Sequence, residues 1–175
     1  MNEVIKAIKE RRSIRKYKPD MIPDEIIDQI IDAGLYAASG RGIQAPIIIA
    51  VTNKELRDKL SEVNCKIGGW QEGFDPFFGA PVVLIVLANK CAHTYVYDGS
   101  LTMGNMMLAA HSLGIGSCWV HRAKEEFEMP EYQELLKTLG FNEEYEGIGH
   151  CVLGYPDTAV SEAVERKENR VCYVR

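Results

Sequence analysis

Residues 81–120, PVVLIVLANKCAHTYVYDGSLTMGNMMLAAHSLGIGSCWV, decide the fold. Val82 to Ala88 is an unbroken apolar run of strand length, which predicts a strand buried on both faces. The stretch from Asp98 to Leu113 is apolar almost all round and predicts an interior helix. Asp98 is placed to cap it, and Met103, Met106 and Met107 supply soft packing groups along it. SCWVH, starting at Ser117, predicts the next strand.

Outward from this centre, helices and strands continue to alternate. Asn2 is placed to cap a first helix carrying Val4, Ala7 and Ile8, and Pro19 stops any continuation. A second helix begins near Pro23, with Asp24 and Glu25 in its first turn and an apolar stripe of Ile26, Ile27, Ile30, Ile31 and Leu35. SGRGIQAP, Ser39 to Pro46, is a loop by its glycines and proline. Ile47 to Val51 reads as a strand buried on both faces, and Thr52 with Glu55 as a capping box for a helix carrying Leu56, Leu60 and Val63. Residues 65–81 read as irregular, with the length of a lid or binding loop. Lys124 to Leu139 reads as helix broken near Pro130, Gly147 to Tyr155 as a fourth strand, and VCYV near the C-terminus as an edge strand. The 175 residues suit one domain, 1–175, of α+β class: a mixed sheet wrapped in helices.

Composition narrows the function. The opening MNEVIKAIKE has no apolar signal-peptide core, and no apolar run is long enough to cross a bilayer, so the expected location is cytoplasmic. Five scattered cysteines, without a CxxC or CxxH pair, suit reduced thiols and predict no metal site. No Walker GxxxxGK[ST] run, strand-to-helix GxGxxG or GxSxG elbow occurs, which disfavours an NTPase, a Rossmann dehydrogenase and a serine hydrolase. His93, His111, His121 and His150 have no evident nucleophile beside them.

Charge is concentrated at one end. Residues 1–20 carry seven Lys or Arg against three Asp or Glu, a balance of +4 in a chain of net −5. Within this segment lies RRSIRKYK, Arg11 to Lys18. One or two cations at a helix C-terminus complement its dipole. Five in eight residues, around a serine, are better explained by an anion: guanidinium forks match phosphate oxygens and a hydroxyl can donate to a third. A nucleic-acid binder needs a wider basic face, so a small phosphate ester is the expected ligand.

Several segments together resemble the FMN-dependent nitroreductase-like family. RRSIRKY is similar to its phosphate-binding opening and SGRGIQAP to its flavin-contacting loop. FGAPVVLIV, DGSLTMGNMMLAAHSLGIGSCWV and GHCVLGYP follow in the family's order over nearly the whole chain. The resemblance implies a three-layer α+β homodimer with FMN at the subunit interface. Arg11, Arg12, Ser13 and Arg15 match its phosphate and ribityl positions; Arg166 and Lys167, with Arg170 nearby, match a basic pair that completes the phosphate site. Ser39, Arg41 and Gln44 match loop positions that reach the flavin, often from the partner. The stretch Cys118, Trp119, His121 and Arg122 matches the segment whose backbone passes the flavin N5 edge. Gly42 stands where the family usually has Asn, Gln44-Ala45-Pro46 replaces QPW, and the region near residues 88–98 is short.

The implied activity is an FMN-dependent NAD(P)H oxidoreductase with ping-pong hydride transfer through flavin N5 to nitroaromatics, quinones or similar electron-poor acceptors. The cofactor carries the chemistry and no side chain is expected to be catalytic. The alternative is a non-catalytic protein that stores or senses FMN, separated by whether NADH or NADPH bleaches the bound flavin. A third reading makes the basic segment a docking surface for an acidic partner, with no flavin.

Overall fold

In the computed structural model, which describes residues 2–175, Val82 to Ala88 of strand β2 (Val82–Asn89) are buried without exception. Successive side chains of a strand point to opposite faces. Val83, Ile85 and Leu87 therefore enter one core, and Val82, Leu84, Val86 and Ala88 enter a second. The first is closed by Leu60 of α3 (Lys54–Gly68), Phe127 of α5 (Ala123–Phe127) and Tyr132 and Leu136 of α6 (Pro130–Thr138). The second is closed by Ile27 and Ile30 of α2 (Asp24–Leu35) and Met103 and Met106 of α4 (Tyr95–Ser112). The result is the three-layer α+β architecture the sequence predicts.

The sheet also contains β1 (Pro46–Val51), β3 (Gly116–Val120) and β4 (Tyr145–Gly154), in the order β1-β2-β4-β3. All neighbouring strands are antiparallel. Its mixed character is confined to one parallel bridge, between Ser13 and Ser117 at the outer edge of β3. Val86 pairs with Gly149 and Leu87 with Gly147, so Ile148 is an extra, bulged residue in β4. A bulge bends its strand, and here α5 lies close against it. A Cβ on Gly147 would stand 2.2 Å from the carbonyl carbon and oxygen of Ala123, an approach only glycine permits.

Five local expectations are corrected. β1 is half-buried with Ala50 exposed, because it is the edge strand and has a neighbour on one side only. The cap of α3 is Asn53, whose Oδ1 accepts from the Leu56 N–H at 2.8 Å, so Thr52 and Glu55 form no box. The same helix runs on to Gly68 and stops at Gly69, which takes the left-handed conformation at φ 67°, so the irregular segment begins later than residue 65. α4 starts at Tyr95 and buries one face; Val96, Tyr97 and Leu101 on the other face are exposed. VCYV makes no ladder. The outer edge of β3 is already taken by residues 13–17, and the tail beyond Asp157 is exposed.

Asn2 caps α1 (Glu3–Glu10) as predicted, its Oδ1 accepting from the Val4 N–H at 2.9 Å, yet α1 buries none of its residues. Among the described residues no helix is long and apolar enough to cross a membrane, and no cluster of His, Cys, Asp and Glu could hold a metal.

The irregular segment 69–80 is held by one carboxylate. Asp75 Oδ1 accepts from Ser61 Oγ (2.5 Å) and the Phe77 N–H (2.9 Å), while Oδ2 accepts from Arg57 Nη2 (2.5 Å) and the Gly79 N–H (2.7 Å). Arg57 Nε also donates to the Ala80 carbonyl at 3.0 Å, clamping the middle and the C-terminal end of the segment to α3. Burial, the largest influence, pushes the Asp75 carboxyl up, but the hydrogen bonds from Arg57, Ser61 and Gly79 together hold it below its ordinary 3.8. A depressed folded-state value contributes stability that is present above 3.8 and lost as pH falls through the lower value. Arg57→Met is expected to cost about 2–3 kcal/mol in urea unfolding, since it strands a half-buried carboxylate. Amide exchange in residues 69–80 should rise first, and the loosening of this segment by acid in the unaltered protein should begin only below pH 3.8.

Candidate functional site

The basic segment lies along the free edge of the sheet. The Ile14 N–H donates to the Ser117 carbonyl, the Lys18 N–H to Tyr155 and the Asp157 N–H to Lys16, at 2.9, 2.9 and 3.0 Å. Ile14 and Tyr17 point into the core, and the buried Tyr17 hydroxyl donates to the Ile14 carbonyl at 2.7 Å. Between these two anchors Arg15 and Lys16 are exposed and turned outward.

The five cations do not share one task. Arg12 Nη1 donates to the carbonyls of Lys9 (2.6 Å) and Arg11 (2.8 Å), closing the C-terminal end of α1 as the dipole argument requires. Lys16 is paired with Asp157 at 3.0 Å on the surface. What remains is unspent: Arg11 Nη1 and Arg12 Nε are buried without a partner, and Ser117 Oγ beside them is also unpaired. A buried donor without an acceptor is costly, and these atoms have unused capacity to bond an acceptor. Ser13 reaches the Cys118 sulfur, and Arg11 and Arg15 are close enough to act on that thiol electrostatically. Arg11, Ser13, Arg15 and Cys118 are thus brought together, while Arg12 is turned to the end of α1.

Beside them is a cavity of about 270 Å³ lined by Arg15, Cys118, Trp119 and His121 and walled by Trp70, Phe74 and Phe78 of the irregular segment. The aromatic wall is continuous, with ring centroids 5.6 Å apart for Trp70 and Phe74 and 6.3 Å for Phe74 and Phe78. Trp119 packs over Gly149, where a Cβ would stand 2.2 Å from its indole nitrogen. Arg122 takes the left-handed conformation at φ 84°, and its guanidinium pairs with Glu125 at 3.0 Å, so its charge is already matched. The wall lies within the segment 65–81 that the sequence marks as a lid or binding loop, but its aromatics, and Asn64, Arg57 and Asp75 behind it, escape sequence reasoning because no local signal links α3 to residues 70–80 or 121.

The glycine loop lies elsewhere. Residues Gly40–Gly42 form one 3₁₀ turn, and Arg41 (φ 56°) and Gln44 (φ 55°) both adopt left-handed backbone. Gly42 at φ 68° does so too, a conformation that asparagine tolerates best among other residues, so the departure keeps the backbone and loses only an amide. The Gln44 N–H donates to Ser39 Oγ at 3.1 Å. Asp98 does not cap α4. It is buried in its first turn, accepting from the Gly40 N–H at 3.1 Å and Thr94 Oγ1 at 3.0 Å, and so ties the loop to that helix. Among the described residues no hydrogen bond joins Ser39, Arg41 or Gln44 to the basic segment. Arg166, Lys167 and Arg170 lie in the exposed tail, where Arg166 Nε bonds the Val164 carbonyl at 3.0 Å.

Burial pushes the Cys118 thiol up despite Arg15, Ser13 and Arg11, and pushes Cys151 up to about 12. Both are held as neutral thiols, unsuited to nucleophilic chemistry at neutral pH. His150 is fully buried and bonded to Glu126 at 2.7 Å, a core pair.

A sequence model of the nitroreductase family matches residues 8–67 and 70–155. A relative from Methanothermobacter thermautotrophicus, named for NADH dehydrogenase or NAD(P)H nitroreductase activity, is 35% identical over 143 residues, 74% of this chain and 71% of its own. The FMN reductase [NAD(P)H] of Bacillus subtilis is 30% identical over 178 residues, 89% of this chain and 67% of its own. The crystal structure of a Bacteroides fragilis nitroreductase with bound FMN superposes at a TM-score of 0.90, with 30% identity and full coverage of both chains.

In the folded protein a thiol reagent is expected to modify exposed Cys91 and Cys172 and to spare Cys65, Cys118 and Cys151 until denaturant is added. Rapid labelling of Cys118 in mass spectrometry would contradict its assignment as inert.

Proposed function

The chain belongs to the nitroreductase family, and from that premise we propose that it is an FMN-dependent oxidoreductase that takes electrons from NADH or NADPH. The observation that carries this reading is the set of unpartnered, buried donors on Arg11 and Arg12 beside the cavity at Arg15 and Trp119. Bound FMN supplies the redox chemistry, in a ping-pong cycle that passes a hydride to a nitroaromatic, quinone or similar acceptor.

This chain's residues bind and orient. Arg11, Arg12 and Arg15, with the Ser13 hydroxyl, hold the phosphate, and Arg166, Lys167 and Arg170 of the tail add positive charge to it. The backbone of Cys118 to Arg122, with Trp119 and His121, lines the ring site. Trp70 and Phe74 give an acceptor an apolar wall that excludes water. Ser39, Arg41 and Gln44 serve the site of a second copy, which accounts for their separation from the basic segment in one chain. The proposed assembly is a homodimer. Its support is the uncovered apolar surface: Val4, Ile5 and Ile8 of α1 are about half exposed, and so is Leu101 of α4, with Tyr97 more exposed still. Five unpaired cysteines suit a reducing, cytoplasmic setting.

Three measurements test the reading. Arg11→Ala combined with Arg15→Ala is expected to weaken FMN binding roughly 100-fold or more, from two lost charge-assisted bonds, while the apo fold unfolds as before. Arg12 is left in place because it also closes α1. NADH or NADPH should bleach the bound flavin and a quinone should restore its colour; a flavin that stays oxidised would leave only storage or sensing. Sedimentation should find a dimer.

A further inference from the structure

Asn64 is fully buried on α3, yet its side chain is spent on the far side of the sequence: Nδ2 donates to the His121 carbonyl at 2.8 Å. A carbonyl can only accept, so the amide orientation is fixed by chemistry, and Oδ1 is left buried without a partner. As a stabilising device this is a poor exchange, since one buried acceptor is satisfied and another is left unpaired. The geometry points to a different purpose, the aiming of one peptide.

The peptide is the one between His121 and Arg122. It is trans and planar, so its C=O and N–H point in opposite directions. With the carbonyl held inward against α3, the Arg122 N–H faces away from the protein body. Among the described residues no acceptor is recorded for it. This N–H lies ahead of α5, outside that helix's own hydrogen-bonded turn. His121, the other residue of the peptide, lines the cavity shared with Arg15, Cys118 and Trp119.

Two further contacts keep the segment from drifting. The buried Glu126–His150 pair, at 2.7 Å, ties α5 to β4, and the close approach of Gly147 to Ala123 fixes its height above the strand. Arg122 itself pays for the turn with a left-handed backbone at φ 84°. Three contacts, from α3 and β4, thus converge on a helix of five residues that could not hold its place alone.

We propose that Asn64 is a positioning residue that aims the Arg122 N–H at the N5 acceptor of the flavin ring. This rests on the flavin reading above. The partner of that N–H is then a ring nitrogen with an exposed lone pair, and Asn64 contributes to ring recognition without touching the ring.

The test compares FMN with 5-deaza-FMN, in which a C–H replaces N5 and no acceptor remains. The unaltered protein is expected to bind FMN roughly 3- to 10-fold more tightly, the worth of one hydrogen bond. Asn64→Leu, similar in volume but without a donor, should cut that preference below about 2-fold and leave the affinity for 5-deaza-FMN nearly unchanged. In ¹⁵N-labelled protein the Arg122 amide proton should move further downfield on adding FMN than on adding 5-deaza-FMN, whose ring current acts without a hydrogen bond, a readout independent of any variant. Equal affinity for the two flavins, the same Arg122 shift with both, or a folded Asn64→Leu protein with full preference would each overturn the assignment. Failure to bind either flavin would instead remove the reading on which it rests.

Discussion

The bond from the Ile14 N–H to the Ser117 carbonyl, at 2.9 Å, is the constraint from which the site follows. It lays an otherwise solvated basic segment along the free edge of β3. The pairing of Lys16 to Lys18 with Tyr155 and Asp157 then fixes its register. Register decides direction in extended chain. With Ile14 and Tyr17 turned into the core, Arg15 has to face the cavity beside Cys118 and Trp119. A slip of one residue would bury an arginine and expose an isoleucine. The edge is covered by the same act, so the sheet offers no open strand at β3 for unwanted pairing.

The sheet supplies the rigidity on which this register depends. β2 is buried on both faces, and its two cores draw on different helices. The site lies where the first of these cores reaches the edge strand. Around it the loops are fastened one by one: Asp75 holds the aromatic wall, Asp98 holds the glycine turn, and Asn64 holds the peptide at His121. Each fastener is a short polar side chain on, or bonded to, a helix. Asp98 and Asn64 reach backbone far away in sequence, and Asp75 joins its own loop backbone to Arg57 and Ser61 of α3.

That pattern explains what the sequence discloses and what it withholds. The architecture was legible because it is written in local periodicity: the run from Val82 to Ala88, the stripe of α2 and the apolar length of α4 each name their element. The basic segment was legible because five cations in eight residues exceed what a helix end requires, although Arg12 does serve that end in part. The division of labour among those cations was not legible, since it depends on Asp157 and on the carbonyls of α1. Asp98 was read as a cap because a carboxylate near a helix start usually is one. Its real partner, the Gly40 N–H, is 58 positions away. Thr52 and Glu55 have the interval of a capping box, whereas Asn53 is the residue that reaches the α3 backbone. Chain-distant pairing leaves no periodic trace.

The helix α1 has a consequence of its own. It buries nothing within the chain, and eight residues are too few to remain helical in water unaided. Yet its last turn presents Arg11 and is closed by Arg12. In the proposed dimer, whatever covers Val4, Ile5 and Ile8 therefore also keeps the anion clamp in shape. Occupancy of the flavin and association of the two copies become one linked equilibrium, governed by mass action. Dilution would then strip the cofactor as it separates the subunits, and an excess of the cofactor would draw them back together.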